Sequence, residues 1–132
     1  MQDVDGAAQG QVGADIAEET TFDPAGYRAE LEAPDDAVGT RLLLENDRLR
    51  VWEILLQPGE RAPFHRHVMP YFWSCVDAGT GRQRLADGTM KVRRYRVGET
   101  EFWAHSAEDP LVHDLENVGE SVLRFVTVEL IG

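Results

Sequence analysis

The sequence predicts an all-β domain, a sandwich or barrel of nine short strands preceded by an acidic arm. Three observations carry that reading. From residue 40 onward, short apolar or alternating runs are separated by turn signals about every eight to twelve residues. No stretch in that region keeps the apolar spacing of a long helix. A chain of 132 residues with 42% hydrophobic content is enough for one domain with a core and too short for two.

Taken in order, residues 1–20 combine Gly, Ala, Gln and acids with almost no large apolar side chain. Burial there cannot offset the entropy of ordering, so a mobile tail is expected. Residues 1–37 as a whole form an acidic arm in which ten Asp or Glu face one basic residue, Arg28, for a net charge of −9. Residues 38–132, the barrel, hold twelve Lys or Arg against fourteen Asp or Glu. The arm reads first as a solubilising segment and second as a docking tail for a basic partner. Within it Asp23-Pro24 forms an N-cap and first-turn pair, which predicts a short helix near residues 24–32 at the barrel's edge, stopped by Pro34.

The expected strands are residues 40–45, 49–56, 62–67, 71–77, 81–85, 90–95, 101–104, 111–115 and 122–130. Asp87-Gly88 is the strongest hairpin signal among their separators and reads as a type I′ turn, with both residues at positive φ. The net charge of −11 repels phosphate backbones and anionic headgroups, so neither nucleic acid nor a membrane surface is an expected partner. No apolar run approaches the roughly 18 to 20 residues of a membrane span. The N-terminus lacks a signal-peptide pattern, and Cys75 has no second cysteine to pair with, which together predict a cytoplasmic protein. Cys75 itself reads as a small buried hydrophobe.

His65 and His67 stand two apart in an expected strand, so both imidazoles project from one face and can reach one ion. Around them runs a frame of Gly59, five residues, His65-x-His67, eleven residues and Gly79; farther on come Gly98, then His113, three residues, and Asn117. This order resembles the two conserved motifs of the cupin superfamily, over roughly residues 43–130. The resemblance implies a double-stranded β-helix (jelly-roll) barrel with a divalent metal held by His65, His67 and His113. The first cupin motif also carries a glutamate ligand. Here its place falls at Tyr71 or Phe72, and the spacing to Gly79 selects Phe72, so the carboxylate is absent. The stretch between Gly98 and His113 is about four residues longer than the family pattern, which makes the loop holding His105, Glu108 and Asp109 unusual.

Three neutral imidazoles leave the full +2 charge on an ion, which favours ligands arriving as anions. Within the cupins such a set is similar to the three-histidine iron sites of thiol and diketone-cleaving dioxygenases. The expectation is therefore a metal-dependent enzyme, dioxygenase-like or a lyase or isomerase, acting on a small anionic molecule. Fe(II) is the first choice of metal, with Ni, Mn, Co or Zn as alternatives. The competing expectation is a non-catalytic ligand-binding or interaction module with a structural ion or none. Tyr71 as a pocket hydroxyl, Glu101 as a replacement carboxylate and His105 as a fourth ligand or acid–base group are further site candidates. Arg84 is another: among Arg82, Arg84, Arg94 and Arg96, one inward guanidinium could clamp a carboxylate, although surface charge is the first reading. A homodimer is expected, with residues 40–56 adding to a neighbour's sheet.

Overall fold

All nine expected runs become strands, and a tenth lies ahead of them. In the computed structural model, which describes residues 15–131, the order is β1 (Asp15–Thr21), a 3-10 turn (Pro24–Tyr27), α1 (Arg28–Glu32), β2 (Arg41–Glu45), β3 (Leu49–Leu56), β4 (Arg61–His67), β5 (Tyr71–Asp77), β6 (Gly79–Arg84), β7 (Thr89–Tyr95), β8 (Thr100–Trp103), β9 (Leu111–Asn117) and β10 (Leu123–Leu130). They form two five-stranded sheets, β1-β7-β6-β9-β4 and β2-β3-β10-β5-β8, antiparallel throughout. Among the described residues no helix is long and apolar enough to cross a membrane.

The sequence reading carried the tail as far as Thr20, but residues 15–21 pair with β7, Thr20 opposite Met90 and Thr21 opposite Thr89. An edge strand takes its backbone partners from its neighbour, so its own side chains need little apolar character, here Ile16 alone among large ones. Residues 1–14 of the arm lie outside the described residues. The short helix forms with the Asp23 carboxylate accepting from the Ala25 N–H at 3.0 Å. As expected it sits at the barrel's edge, over the outer face of the edge strand β4, whose free side is bridged by Asp35 just after the helix. Phe22 and Tyr27 pack on the fully buried Phe64, and both Glu30 oxygens accept from the Arg61 guanidinium at 2.7 and 2.9 Å.

The hairpin between β6 and β7 forms, but its turn is not type I′: Gly88 has φ 97°, and among the described residues no non-glycine residue has positive φ. The Gly88 N–H donates to Leu85 O and the Leu85 N–H to Thr89 O. This is a three-residue loop in which the αL glycine follows an ordinary turn, with the Asp87 carboxylate accepting from the Thr89 N–H at 2.9 Å. Gly59 and Gly98, the motif glycines, take φ 88° and 84° in turns closed by Glu60 N–H to Gln57 O and Glu99 N–H to Arg96 O.

Between the sheets one end of the barrel is a dry core of Ile54, Leu56, Ala62, Cys75, Tyr95, Leu115, Leu123 and Phe125. Burial pushes the Cys75 thiol up to about 11. Above this core Trp73, Tyr95 and Phe125 meet edge to face, centroids 4.8 to 5.5 Å apart, and form the floor of a cavity. Asn117 clamps the core end: its amide donates to Leu56 O and Ser121 O while its oxygen accepts from the Gly119 N–H, all at 2.9 Å.

Candidate metal centre

β4 and β9 are neighbours in register, with His65 directly opposite His113. Pro63 lies where β4 bulges, a position that tolerates a residue without an N–H. Strand alternation then points His65 and His67 inward, and on the facing strand His113 joins them. Their ligating nitrogens all lie within 4.8 Å of one another.

The proton positions follow from the partners. His65 Nδ1 donates to Pro63 O at 2.9 Å and His113 Nδ1 donates to Gln83 Oε1 at 2.8 Å, since carbonyl oxygens only accept. Each ring is thereby left with a lone pair on Nε2. His113 Nε2 stands 3.2 Å from His67 Nε2. Two nitrogens each about 2.1 Å from a shared ion are separated by about 3.0 to 3.4 Å for right-angle to tetrahedral coordination, so the spacing suits a divalent cation. Desolvation holds His65 below its ordinary pKa, and holds His67 and His113 well below with help from neighbouring imidazoles. The rings are neutral at pH 7, the form that ligates.

Tyr71 stacks flat on His67, centroids 3.9 Å apart at 14°, and lines the cavity; burial first, then the nearby Glu101 charge, push its phenol well above the usual range. The spacing argument had put Phe72 at the family's glutamate place. In the structure Phe72 is on the outward face of β5, and Tyr71 is the neighbour that faces the histidines. The cause is a bulge: β5 opposes Phe125 with Cys75 and Arg124 with Asp77, so Val76 is an extra residue between Tyr71 and Gly79.

Glu101 faces inward and is 2% exposed, but it belongs to an ion pair with Arg93 at 2.6 Å and lies outside the convergent donor group, which among the described residues comprises the three histidines. His105 is buried behind Tyr71 and Trp103, with Nδ1 on Asp109 O at 3.0 Å, and does not line the cavity. Arg84, a candidate carboxylate clamp by sequence, does not enter the cavity. Its guanidinium points out of the barrel, bound to Asp114 at 3.0 Å and Glu116 at 3.2 Å over the Tyr27 ring. Arg82 likewise pairs with Glu116, and Arg94 and Arg96 are on exposed positions of β7 and its end.

The inward arginine is Arg93, which the sequence reading passed over, as it did Gln83. Alternation along β7 was the available signal, since Lys91, Arg93 and Tyr95 share one face. The cavity, about 290 Å³, is lined by the histidines, these three residues, the aromatic floor and Ile16 of β1.

No family model and no curated protein matches the sequence. Solved structures do match. A cupin domain from Bordetella pertussis Tohama I is 21% identical with a TM-score of 0.62, over 74% of this chain and 96% of that one. A double-stranded β-helix protein from Klebsiella pneumoniae is 19% identical, TM-score 0.55, over 84% and 89%. An RmlC-like cupin from Methanocaldococcus jannaschii is 16% identical, TM-score 0.57, over 75% and 84%. With two antiparallel sheets closed on an inward histidine cluster and these structures superposing on it, the chain has the double-stranded β-helix fold seen in cupin domains.

Proposed function

We propose that the chain is a metal-dependent enzyme, dioxygenase-like or a lyase or isomerase, that binds a small anionic molecule at the His65–His67–His113 centre. The supporting observation is the convergence of three neutral imidazoles, two with their outer nitrogens tied back, beside an aromatic-walled cavity. A divalent ion held there, Fe(II) first and Ni, Mn, Co or Zn next, supplies Lewis acidity and, as iron, access to oxygen chemistry.

The chain's own residues do the rest. Pro63 and Gln83 fix the His65 and His113 protons away from the centre, Tyr71 fixes the ring plane of His67, and the floor of Trp73, Tyr95 and Phe125 keeps water from below. Because every ligand is neutral, the compensating negative charge comes from the bound molecule. The alternative, a non-catalytic module with a structural ion, expects a closed four-ligand site; neither Glu101 nor His105 joins the group, which favours the enzyme.

Elemental analysis of purified protein tests the reading: one equivalent of transition metal per chain is expected, and His65→Ala or His113→Ala should remove it. Metal-free wild type that also fails to take up added Fe(II) or Co(II) would end the proposal. We further propose a cytoplasmic homodimer without nucleic-acid or membrane partners, in keeping with the acidic surface and the unpaired, buried Cys75.

A further inference from the structure

On the wall of the cavity away from the histidines, Glu101 is a buried carboxylate with only half of its hydrogen-bonding satisfied. Its Oε2 accepts from Arg93 at 2.6 Å, while its Oε1 is buried, without a partner, on a residue that lines the cavity. Arg93, 4% exposed, also donates to Glu99 at 2.6 Å and lies against the rings of Trp73 and Tyr95, 5.2 and 4.8 Å from their centroids. One cation is thus shared by two carboxylates, and the buried trio carries a net charge of −1. The cavity's other cation, Lys91, is opposite Gln83 in register, beside the residue that holds His113.

The two ends of the cavity therefore ask for opposite chemistry. The histidine end suits an anion, and Lys91 stands between the ends, two residues from Arg93 on the same face of β7 and opposite Gln83 in register. The Arg93–Glu101 end has no net positive charge to offer and presents, at Glu101 Oε1, an acceptor with nothing to accept from and, at the buried Arg93 Nε–H, a donor with nothing to donate to, an arrangement that costs free energy until a group such as a hydroxyl arrives to serve both. β7 is two strands from β9 in the sheet, so the ends are separated by about 10 Å of backbone, a small-molecule distance.

We propose that Glu101 is the specificity-determining residue of this cavity and selects an acid or enolate whose far end carries a hydroxyl or amine donor, against one with a second carboxylate. The proposal rests on the metal-centre reading for the anionic end only. A purely structural ion pair would place both carboxylate oxygens in hydrogen bonds, and a clamp for dicarboxylates would leave the guanidinium without two anionic partners.

Calorimetric titration with benzoate, 3- and 4-hydroxybenzoate, 4-aminobenzoate, isophthalate and terephthalate tests it, on Co(II)-loaded and on EDTA-treated protein. The hydroxy and amino acids are expected to bind on the order of tenfold tighter than benzoate, as a hydrogen bond to a buried charge provides, and the dicarboxylates tenfold or more weaker. In Glu101→Gln the spread should collapse, with the dicarboxylates gaining most. Should that variant not fold, the wild-type ranking alone decides. A flat ranking, dicarboxylates bound as tightly as benzoate, or no binding by any probe overturns the proposal. The two readings fail separately: a ranking that survives EDTA upholds Glu101 and removes the metal, whereas stoichiometric metal with a flat ranking removes Glu101 alone.

Discussion

Gln83 fixes the proton of His113 without itself facing an ion, so its loss should act on metal affinity more than on folding. Gln83→Ala is expected to weaken Co(II) binding by about tenfold or more, as loss of an outer hydrogen bond to a ligating histidine does, read by competition with a chromophoric chelator. Unchanged affinity would show that His113 needs no such anchor. The histidines also set a pH dependence in the metal-free protein. Their folded pKa values are depressed by burial, so at acid pH the unfolded chain binds more protons than the folded one. The stability they contribute is complete above the unfolded value of 6.5 and is lost as pH falls below it toward the folded values, each histidine adding a slope of up to about 1.4 kcal/mol per pH unit. Urea unfolding of EDTA-treated protein from pH 8 to 5 should show this decline, and His67→Gln should flatten it; a level profile would contradict neutral buried rings. The histidines were readable because two lie on one strand face within a local motif. Tyr71 was readable as a pocket residue from its closeness to the motif, whereas counting back from Gly79 leads to the outward Phe72 because the Val76 bulge shifts the count by one; Arg93 was not readable because its role depends on β8, which brings Glu101 to it from the other sheet.

At the scale of elements, the second half of the acidic arm is built into the fold. Arg61 of β4 binds Glu30 of α1 and, at 2.7 Å, Asp114 of β9; Asp114 in turn accepts from the Arg84 backbone N–H at 2.7 Å and its guanidinium at 3.0 Å. Asp114 is fully buried and next to His113, so one carboxylate ties the strap to the three strands β4, β9 and β6. Asp114→Ala leaves two guanidinium groups short of their anion and should cost about 3 to 5 kcal/mol, seen as a lower urea midpoint. Glu30→Gln, on a more exposed partner, should cost under about 1 kcal/mol. Equal losses from both would mean that the strap, not Asp114, organises the network. None of this was legible beforehand: the alternation of Arg82 and Arg84 indicates a shared face, but which face is buried depends on a strap of residues 22–32 folding back from far away in sequence. The strands themselves were legible because turn residues and apolar runs are local signals, whereas β1 borrows its order from β7.

At the scale of the whole molecule, the outward face of one sheet is left uncovered by the described residues, and that face offers a surface for the proposed homodimer. Register places Phe102, Phe72, Val128, Val51 and Leu44 side by side across all five strands of the β8-β5-β10-β3-β2 sheet, on its outward face. This apolar row spans four strand spacings, about 19 Å, with the exposed Leu130 beyond it. Beside it runs a row of Thr100, Ser74, Val126, Glu53 and Arg41, polar except at its centre, in which Arg41 and Glu53 already pair at 3.3 Å. Edge addition through residues 40–56 was the sequence expectation. The bulge at Leu43, between Leu42 and Leu44, breaks the regular edge such pairing needs. Face-to-face packing of two copies about a twofold axis covers the row with itself, since the same residues meet on both sides. Light scattering should therefore give a dimer mass, and Val128→Lys should shift it to monomer without altering metal content, because Val128 points away from the cavity. A monomeric wild type would refute the dimer, and a Val128→Lys dimer would return the interface to the β2 edge.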